Sequence, residues 1–258
     1  MELTLDLVEL WTRQAGEIVK MGWGKTHEIG YKTDSDLVTE YDKRTEDFLV
    51  GLIQTHFPEH SIIGEENGHQ AGNPVARWII DPIDGTTNYA HGLPYFCISV
   101  AFVDEEGSKL GVIYDPAHDE CFSAERGKGA FLNGQPIHVS QTQEMKRALM
   151  VTGFSHNLDE HVDRNIELFQ EMNESVRAMR RMGAAALNMA NVAAGRMDAY
   201  WELLVKPWDI AAGLLIVREA GGIATRIDGS SDTILEPPCD ILCCTPALHD
   251  EMVKRISL

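Results

Sequence analysis

Positive charge is scarce in this chain. Its 22 Lys and Arg face 40 Asp and Glu, a formal net charge of −18 over 258 residues. A surface that acidic repels phosphate backbones and anionic lipid, which argues against nucleic acid and membrane as partners. A small phosphorylated metabolite bound through a metal ion escapes that objection. Long apolar runs are missing too: Glu, Asp, Lys or Gly interrupts every stretch well before the roughly 18 residues of a membrane span. Met1-Glu-Leu-Thr-Leu-Asp has neither the basic start nor the apolar core of a secretory signal. The cysteines, Cys97, Cys121, Cys239, Cys243 and Cys244, are odd in number and hold no CxxC pair. That pattern suits a reducing, cytoplasmic setting better than a disulfide framework. Cys239-x3-Cys243-Cys244 has the spacing of a metal clip, but Pro238 and the apolar Ile241-Leu242 predict a buried strand whose thiols act as small core hydrophobes. No long linker, low-complexity tract or internal repeat divides the chain.

What is present suits a globular protein. Hydrophobic residues make up 44% and charged residues 24%, enough for a full core in one large domain or two lobes around a shared cleft. Apolar periodicity predicts amphipathic helices over Leu3–Met21 and Thr39–His56, with Thr39 as an N-cap. Strand-like runs then follow at Ser61–Gly64, Arg77–Ile80, Tyr95–Val103, Gly111–Tyr114, Cys121–Ala124 and Ala130–Leu132, the last closed by an Asn133-Gly134 turn. Beyond about Thr142 strands and helices alternate. Leu149–Thr152, Ser175–Met179, Asp198–Trp201, Ile223–Thr225 and Asp240–Cys244 read as strands. His161–Met172, Ala184–Ala194, Trp208–Ala220 and Pro246–Ile256 read as helices. The expected division is an N-terminal α+β lobe over 1–142 and a C-terminal α/β lobe over 143–258, with the ligand cleft between them.

Chemistry concentrates at Trp78-Ile-Ile-Asp-Pro-Ile-Asp-Gly-Thr-Thr-Asn88. A buried strand here delivers Asp81 and Asp84 into a turn made by Pro82 and Gly85. Two carboxylates at this spacing, with the Ile83 carbonyl between them, can flank a hard divalent cation. Gly85-Thr86-Thr87 then offers unpaired amides at the start of a helix, a seat for phosphate. In isolation the same residues read more readily as an Asx-turn in which Asp81 and Asp84 merely cap a loop. Two further acidic sites join them: Gly64-Glu65-Glu66 at a strand end, and Asp209 in the first turn of the helix opened by Trp208.

Together with Asp36–Asp42, Gly127–Phe131, Gly183–Ala186 and Trp208–Gly222, these stretches resemble the inositol monophosphatase family of Mg²⁺-dependent, lithium-sensitive phosphatases, over essentially the whole chain. The resemblance implies a layered αβαβα sandwich of the inositol monophosphatase / fructose-1,6-bisphosphatase type. It also implies two or three Mg²⁺ ions, direct water attack without a phospho-enzyme, and a homodimer. By position, Glu65, Asp81, the Ile83 carbonyl, Asp84 and Asp209 match the metal ligands. Thr86 and Asp42, assisted by Glu65, match the groups that orient and deprotonate water. The Gly85 and Thr86 amides match the phosphate seat. Gly183, Ala185, Glu202 and Asp209 match contacts to the substrate's alcohol. Lys32 and Asp36 fall on a shielding loop, and Arg180 can pair with a cleft carboxylate.

Several lookalikes fall away. Gly24-Lys25-Thr26 imitates a P-loop end, yet Val19 stands where its first glycine is required. His156 and His161 lack cysteine partners for zinc, and the methionines between Met179 and Met197 read as packing. The expected activity is hydrolysis of inositol 1-phosphate. Alternatives are fructose 1,6-bisphosphate, histidinol phosphate or 3′-phosphoadenosine 5′-phosphate as substrate, or a regulatory role through a protein partner.

Overall fold

The N-terminal helix α1, Leu5–Gly22, is capped by the Thr4 hydroxyl, which accepts from the Leu7 amide, and buries Val8, Trp11, Ala15 and Val19 at helical spacing. This computed structural model of the chain describes residues 2–25, 29–31, 37–154 and 160–257. Lys32, Asp36 and His156 lie outside the described residues, as does the His161 side chain. A short hairpin, β1 (Ile29–Tyr31) and β2 (Leu37–Thr39), leads into α2, Glu40–His56.

Next come β3 (His60–Gly64), β4 (Gly68–Gln70) and β5 (Asn73–Asp84), then the short helix α3 (Thr86–Ala90). The meander β6 (Cys97–Asp104), β7 (Gly107–Asp115), β8 (Glu120–Glu125), β9 (Ala130–Leu132) and β10 (Gln135–Pro136) follows. Together β3 to β10 make an eight-stranded sheet in the order β10-β9-β8-β7-β6-β5-β3-β4. All its pairs are antiparallel except β3 with β5. The predicted Asn133-Gly134 turn closes β9 onto β10, both residues at the positive φ a primed turn requires (48° and 75°).

The rest of the chain supplies β11 (Leu149–Thr152), α4 (Glu160–Ser175), β12 (Ala178–Arg180), α5 (Ala185–Ala193), β13 (Ala199–Val205), α6 (Pro207–Glu219), β14 (Ile223–Thr225), β15 (Cys239–Cys244) and α7 (His249–Ile256). Its five-stranded sheet runs β12-β11-β13-β15-β14.

Side-chain alternation along the strands sorts the core into layers. Trp78 and Ile80 of β5 pack with α1 and α2, while Ile79 between them faces α5 and α6. Tyr200, Ile241 and Cys243 cover the other side of α5 and α6, and Trp201, Leu242 and Cys244 turn outward onto α4 and α7. The order is helix, sheet, helix, sheet, helix: the αβαβα sandwich anticipated. All the cysteines are free and buried, and those of β15 face both sides of one strand, so the clip reading falls.

Some boundaries differ from expectation. Tyr95 precedes its strand, because the Pro94 segment turns with a Tyr95 amide to Leu93 carbonyl bond of 2.9 Å. Helix α4 runs on to Ser175, displacing the next strand to Ala178–Arg180. The closing segment starts with a tight 3₁₀ turn, Pro246–Leu248, before α7. Strand β13 continues through Val205, past the expected end at Trp201, which places Glu202 within the strand, opposite Ile241 of β15.

Candidate active site

Three positions along a regular strand put two side chains on opposite faces. Asp81 and Asp84 escape this because the β5–β6 register slips between them: Asp81 lies opposite Ser99 and Asp84 opposite Cys97. The one-residue bulge turns both carboxylates to the face that packs on α5 and α6. Strand β3 runs parallel beside β5 with Gly64 opposite Ile80, so Glu65, the next residue, comes alongside Asp81. Asp209 enters from the first turn of α6, where its Oδ2 accepts from the Lys206 amide at 2.7 Å. Glu202 shares the face of Tyr200 on β13 and points into the same space.

These acids line a cleft of about 500 Å³ between the sheets, together with Ile83, Gly85, Thr86, Gly183 and Ala185. Burial pushes the Asp81 carboxyl well up, and the negative charges of Glu65, Asp84 and Asp209 push it further. Asp209 is raised by burial and then by Asp84. Burial lifts Asp84 to about 6 despite the amides that hold its charged form. Among the described residues no three His, Cys, Asp or Glu side chains are gathered closely enough to enclose an ion as they stand. Asp84 instead caps α5: Oδ1 accepts from Ala185 N at 3.0 Å, and Oδ2 from Ala186 N at 2.7 Å and Leu187 N at 3.4 Å. The donor chemistry nevertheless fits a hard dication, since several oxygen ligands repel one another here and a carboxylate oxygen keeps a second lone pair.

At the edge of the cluster Thr86 Oγ1 lies 3.0 Å from Asp42 Oδ1 and 2.9 Å from the Ile83 carbonyl. Its single hydrogen can go to only one of them. Asp42 is fully buried and also closes a capping box at the start of α2, accepting from the Thr39 amide at 2.8 Å. Burial raises it to about 6 against those hydrogen bonds. Gly85 sits at φ +89° directly before α3, where a Cβ would meet the Tyr95 carbonyl at 3.0 Å and Ala184 Cβ at 3.1 Å, so the tight approach needs glycine. Asn88 spans the cleft floor, donating to the Tyr95 and Met182 carbonyls at 2.8 Å each.

At the far end Glu202 Oε2 accepts from the buried Tyr200 hydroxyl at 2.6 Å. Burial lifts Glu202 to about 7, with Tyr200 and Arg181 acting the other way. Arg180 does not reach a cleft carboxylate: it is exposed and donates to the neighbouring Met179 carbonyl at 2.8 Å. Its neighbour Arg181 lines the cleft instead, its guanidinium 5.1 Å over the Phe154 ring. Nothing in an Arg180-Arg181 pair distinguishes the two before the strand's facing is known. Ala185 lies where expected, but its amide is taken by Asp84. Sequence reasoning also passed over Phe154, Leu204 and Lys206 on the cleft wall. Leu204 occupies a β-bulge at φ +59°, an uncommon conformation for so bulky a residue.

The layered fold and this acid-lined cleft are those of a phosphatase. More narrowly, a sequence model of the inositol monophosphatase family matches residues 2–257, and the chain belongs to that family of phosphoric monoester hydrolases. "Phosphatase IMPL1, chloroplastic" of Arabidopsis thaliana is 41% identical over 260 residues, covering 98% of this chain and 70% of the relative. "Fructose-1,6-bisphosphatase/inositol-1-monophosphatase" of Thermotoga maritima is 39% identical over 254 residues, 98% of this chain and 95% of the relative. The crystal structure of suhB from Bartonella henselae superposes with a TM-score of 0.92 at 32% identity, covering 98% of this chain and 97% of that one. No described helix is long and apolar enough to cross a membrane.

Proposed function

We propose that the chain is a Mg²⁺-dependent phosphomonoesterase acting on a small phosphorylated polyol, inositol 1-phosphate foremost, by direct attack of water. The observation that carries this reading is the convergence of Glu65, Asp81, Asp84 and Asp209 on one cleft, from the end of β3, from β5 and from α6, beside the Thr86–Asp42 pair. Glu65, Asp81, the Ile83 carbonyl, Asp84 and Asp209 would hold two or three Mg²⁺ ions. Bound there, Mg²⁺ neutralises phosphate charge and makes water a stronger acid.

The chain's own groups do the rest. When Thr86 gives its hydrogen to Asp42, its oxygen is left to accept one from water, so a proton can pass to the Asp42 carboxylate. A base pushed up to about 6 is well matched to that task near neutral pH. The Gly85 and Thr86 amides open α3 and offer the phosphate unpaired donors. At the other end Glu202 accepts from the hydroxyls of the alcohol, and Gly183, whose carbonyl lies near Gly85, lines the wall between them.

Hydrolysis of inositol 1-phosphate with Mg²⁺, measured against fructose 1,6-bisphosphate, histidinol phosphate and 3′-phosphoadenosine 5′-phosphate, tests the reading. Equal rates on all four defeat the polyol assignment, and absence of Mg²⁺-dependent turnover defeats the enzyme. Fructose 1,6-bisphosphate is the second reading, favoured by Arg181: it brings a cation to the alcohol end, where a second phosphate would lie, and the Thermotoga relative's name includes that substrate. Lithium inhibition and a homodimer belong to the same proposal, and a monomer in light scattering removes the latter.

A further inference from the structure

One buried acid near the cleft has no part in the steps above. Glu46 is completely buried on α2, one helical turn beyond Asp42 and on the same face. Its Oε2 accepts from the Glu66 amide at 2.9 Å and its Oε1 from the Asn67 amide at 2.7 Å. The peptide on the other side of Glu65 is held as well, its N–H donating to the Ile80 carbonyl at 3.3 Å. With both flanking peptides gripped, φ and ψ of Glu65 are set, and so is the direction in which its carboxylate leaves the backbone. Gly64 completes the seat: a Cβ there would stand 2.3 Å from Glu46 Oε1, so the carboxylate occupies the room that any other residue would fill. A buried carboxylate costs several kcal/mol unless its oxygens are hydrogen-bonded, and here its bonds go to the turn that presents Glu65.

We propose that Glu46 is a positioning residue for the metal cluster, fixing the Gly64–Asn67 turn so that Glu65 meets Asp81 and Asp84 before any ion arrives. Helix α2 then serves both halves of the chemistry, holding Thr86 through Asp42 and Glu65 through Glu46. This rests on the reading of Glu65 as a Mg²⁺ ligand.

The test uses the full chain, with Mg²⁺ binding measured by calorimetry and turnover followed against Mg²⁺ concentration. Glu46→Gln keeps the size, but turns an NH₂ toward one of the two amides. Loss of such a supporting group typically weakens metal affinity about 10–100-fold. The expected result is a Kd for Mg²⁺ raised by about tenfold or more, with kcat at saturating Mg²⁺ largely retained. Gly64→Ala should do the same from the opposite side by displacing the carboxylate, and the double variant should be no worse than the weaker single. Asp198→Asn is the structural control: Asp198 is a buried acid remote from the cleft that accepts from the Leu149 amide at 2.6 Å. It should lower thermal stability without moving Mg²⁺ affinity. Glu65→Gln runs in parallel. If it weakens Mg²⁺ binding while Glu46→Gln and Gly64→Ala do not, the positioning role is overturned; if it has no effect itself, the ligand assignment falls first. Should both Glu46→Gln and Gly64→Ala fail to fold, hydrogen exchange in the wild type decides. The Glu66 and Asn67 amides should be protected without Mg²⁺, and fast exchange there overturns the proposal.

Discussion

Replacing Asp84 by Asn separates what this carboxylate costs the empty protein from what it gives the loaded one. Burial raises Asp84 from 3.8 to about 6, and each pKa unit is worth about 1.4 kcal/mol, so holding it ionised at pH 7.5 costs the metal-free fold about 3 kcal/mol. Asn removes that charge. Against the gain, its NH₂ group turns on one of the α5 amides that Asp84 now satisfies, and a buried donor left without an acceptor costs about 1–3 kcal/mol. The metal-free variant should therefore melt close to the wild type or slightly above it. Mg²⁺ reverses the comparison. At a hundred times its Kd a ligand stabilises by about 2.7 kcal/mol. In a domain of this size that is a rise in Tm of about 5–10 °C. Asp84→Asn should lose nearly all of this increment, together with turnover. Thermal unfolding in EDTA and in MgCl₂, followed by circular dichroism, reads both quantities. A variant that melts many degrees lower in EDTA yet keeps the Mg²⁺ increment would show that Asp84 is a helix cap and nothing more.

The remaining predictions draw on other parts of the cleft. Thr86→Ala deletes the hydroxyl bonded to Asp42 and leaves every proposed metal ligand; kcat should fall about 10²–10⁴-fold, and near-normal kcat refutes the relay. Glu202→Gln should raise KM for inositol phosphate by about one to two orders of magnitude, the worth of a charge-assisted hydrogen bond of 1.5–3 kcal/mol, and spare an aryl phosphate without hydroxyls. An equal response from both substrates removes Glu202 from polyol recognition. Asp42 and Asp84 are raised to about 6 and Glu202 to about 7, so the stability tied to these acids is full below their unfolded values and lost as pH rises through 6–7. Metal-free protein should accordingly melt higher at pH 5.5 than at 7.5, while Mg²⁺ affinity runs the other way because protons compete for the same oxygens. Mg²⁺ binding that stays flat across that interval contradicts the assignment.

How much of this could be read without coordinates depends on whether a feature is local. Thr39 as a helix cap, the Asn133-Gly134 turn and the tight turn at Gly85 before a helix are set by neighbouring residues, and the structure has them. While the αβαβα order was what the family resemblance implied, strand–helix alternation beyond Thr142 made a layered lobe legible as well. Features that depend on pairing between distant strands were not. Asp81 and Asp84 face the same way only because of a slip against β6, which no spacing rule on β5 alone reveals. Glu202 falls beyond the strand expected at Asp198–Trp201, because the pairing that carries β13 past it comes from β15, almost forty residues later. Arg181 and Glu46 were missed for a similar reason. One is half of an Arg-Arg pair whose facing is set by tertiary structure, and the other reads as an ordinary acid on an amphipathic helix.

The two halves of the cleft are therefore joined at the acids themselves. Asp84 belongs to β5 but spends its oxygens on the first turn of α5, and Asp42 closes the first turn of α2 while it holds Thr86 on α3. Asp209 likewise binds the amide that opens α6. In each case a helix N-terminus, with unpaired N–H groups and a positive dipole end, steadies a carboxylate that its acidic neighbours repel. Capping and chemistry are thus one arrangement seen from two sides. The amides allow like charges to be stored close together in a chain of net charge −18, and the repulsion that remains is what a bound cation would relieve. Weakening the caps should consequently loosen the cleft and the fold together, whereas strengthening them alone leaves the demand for a cation in place.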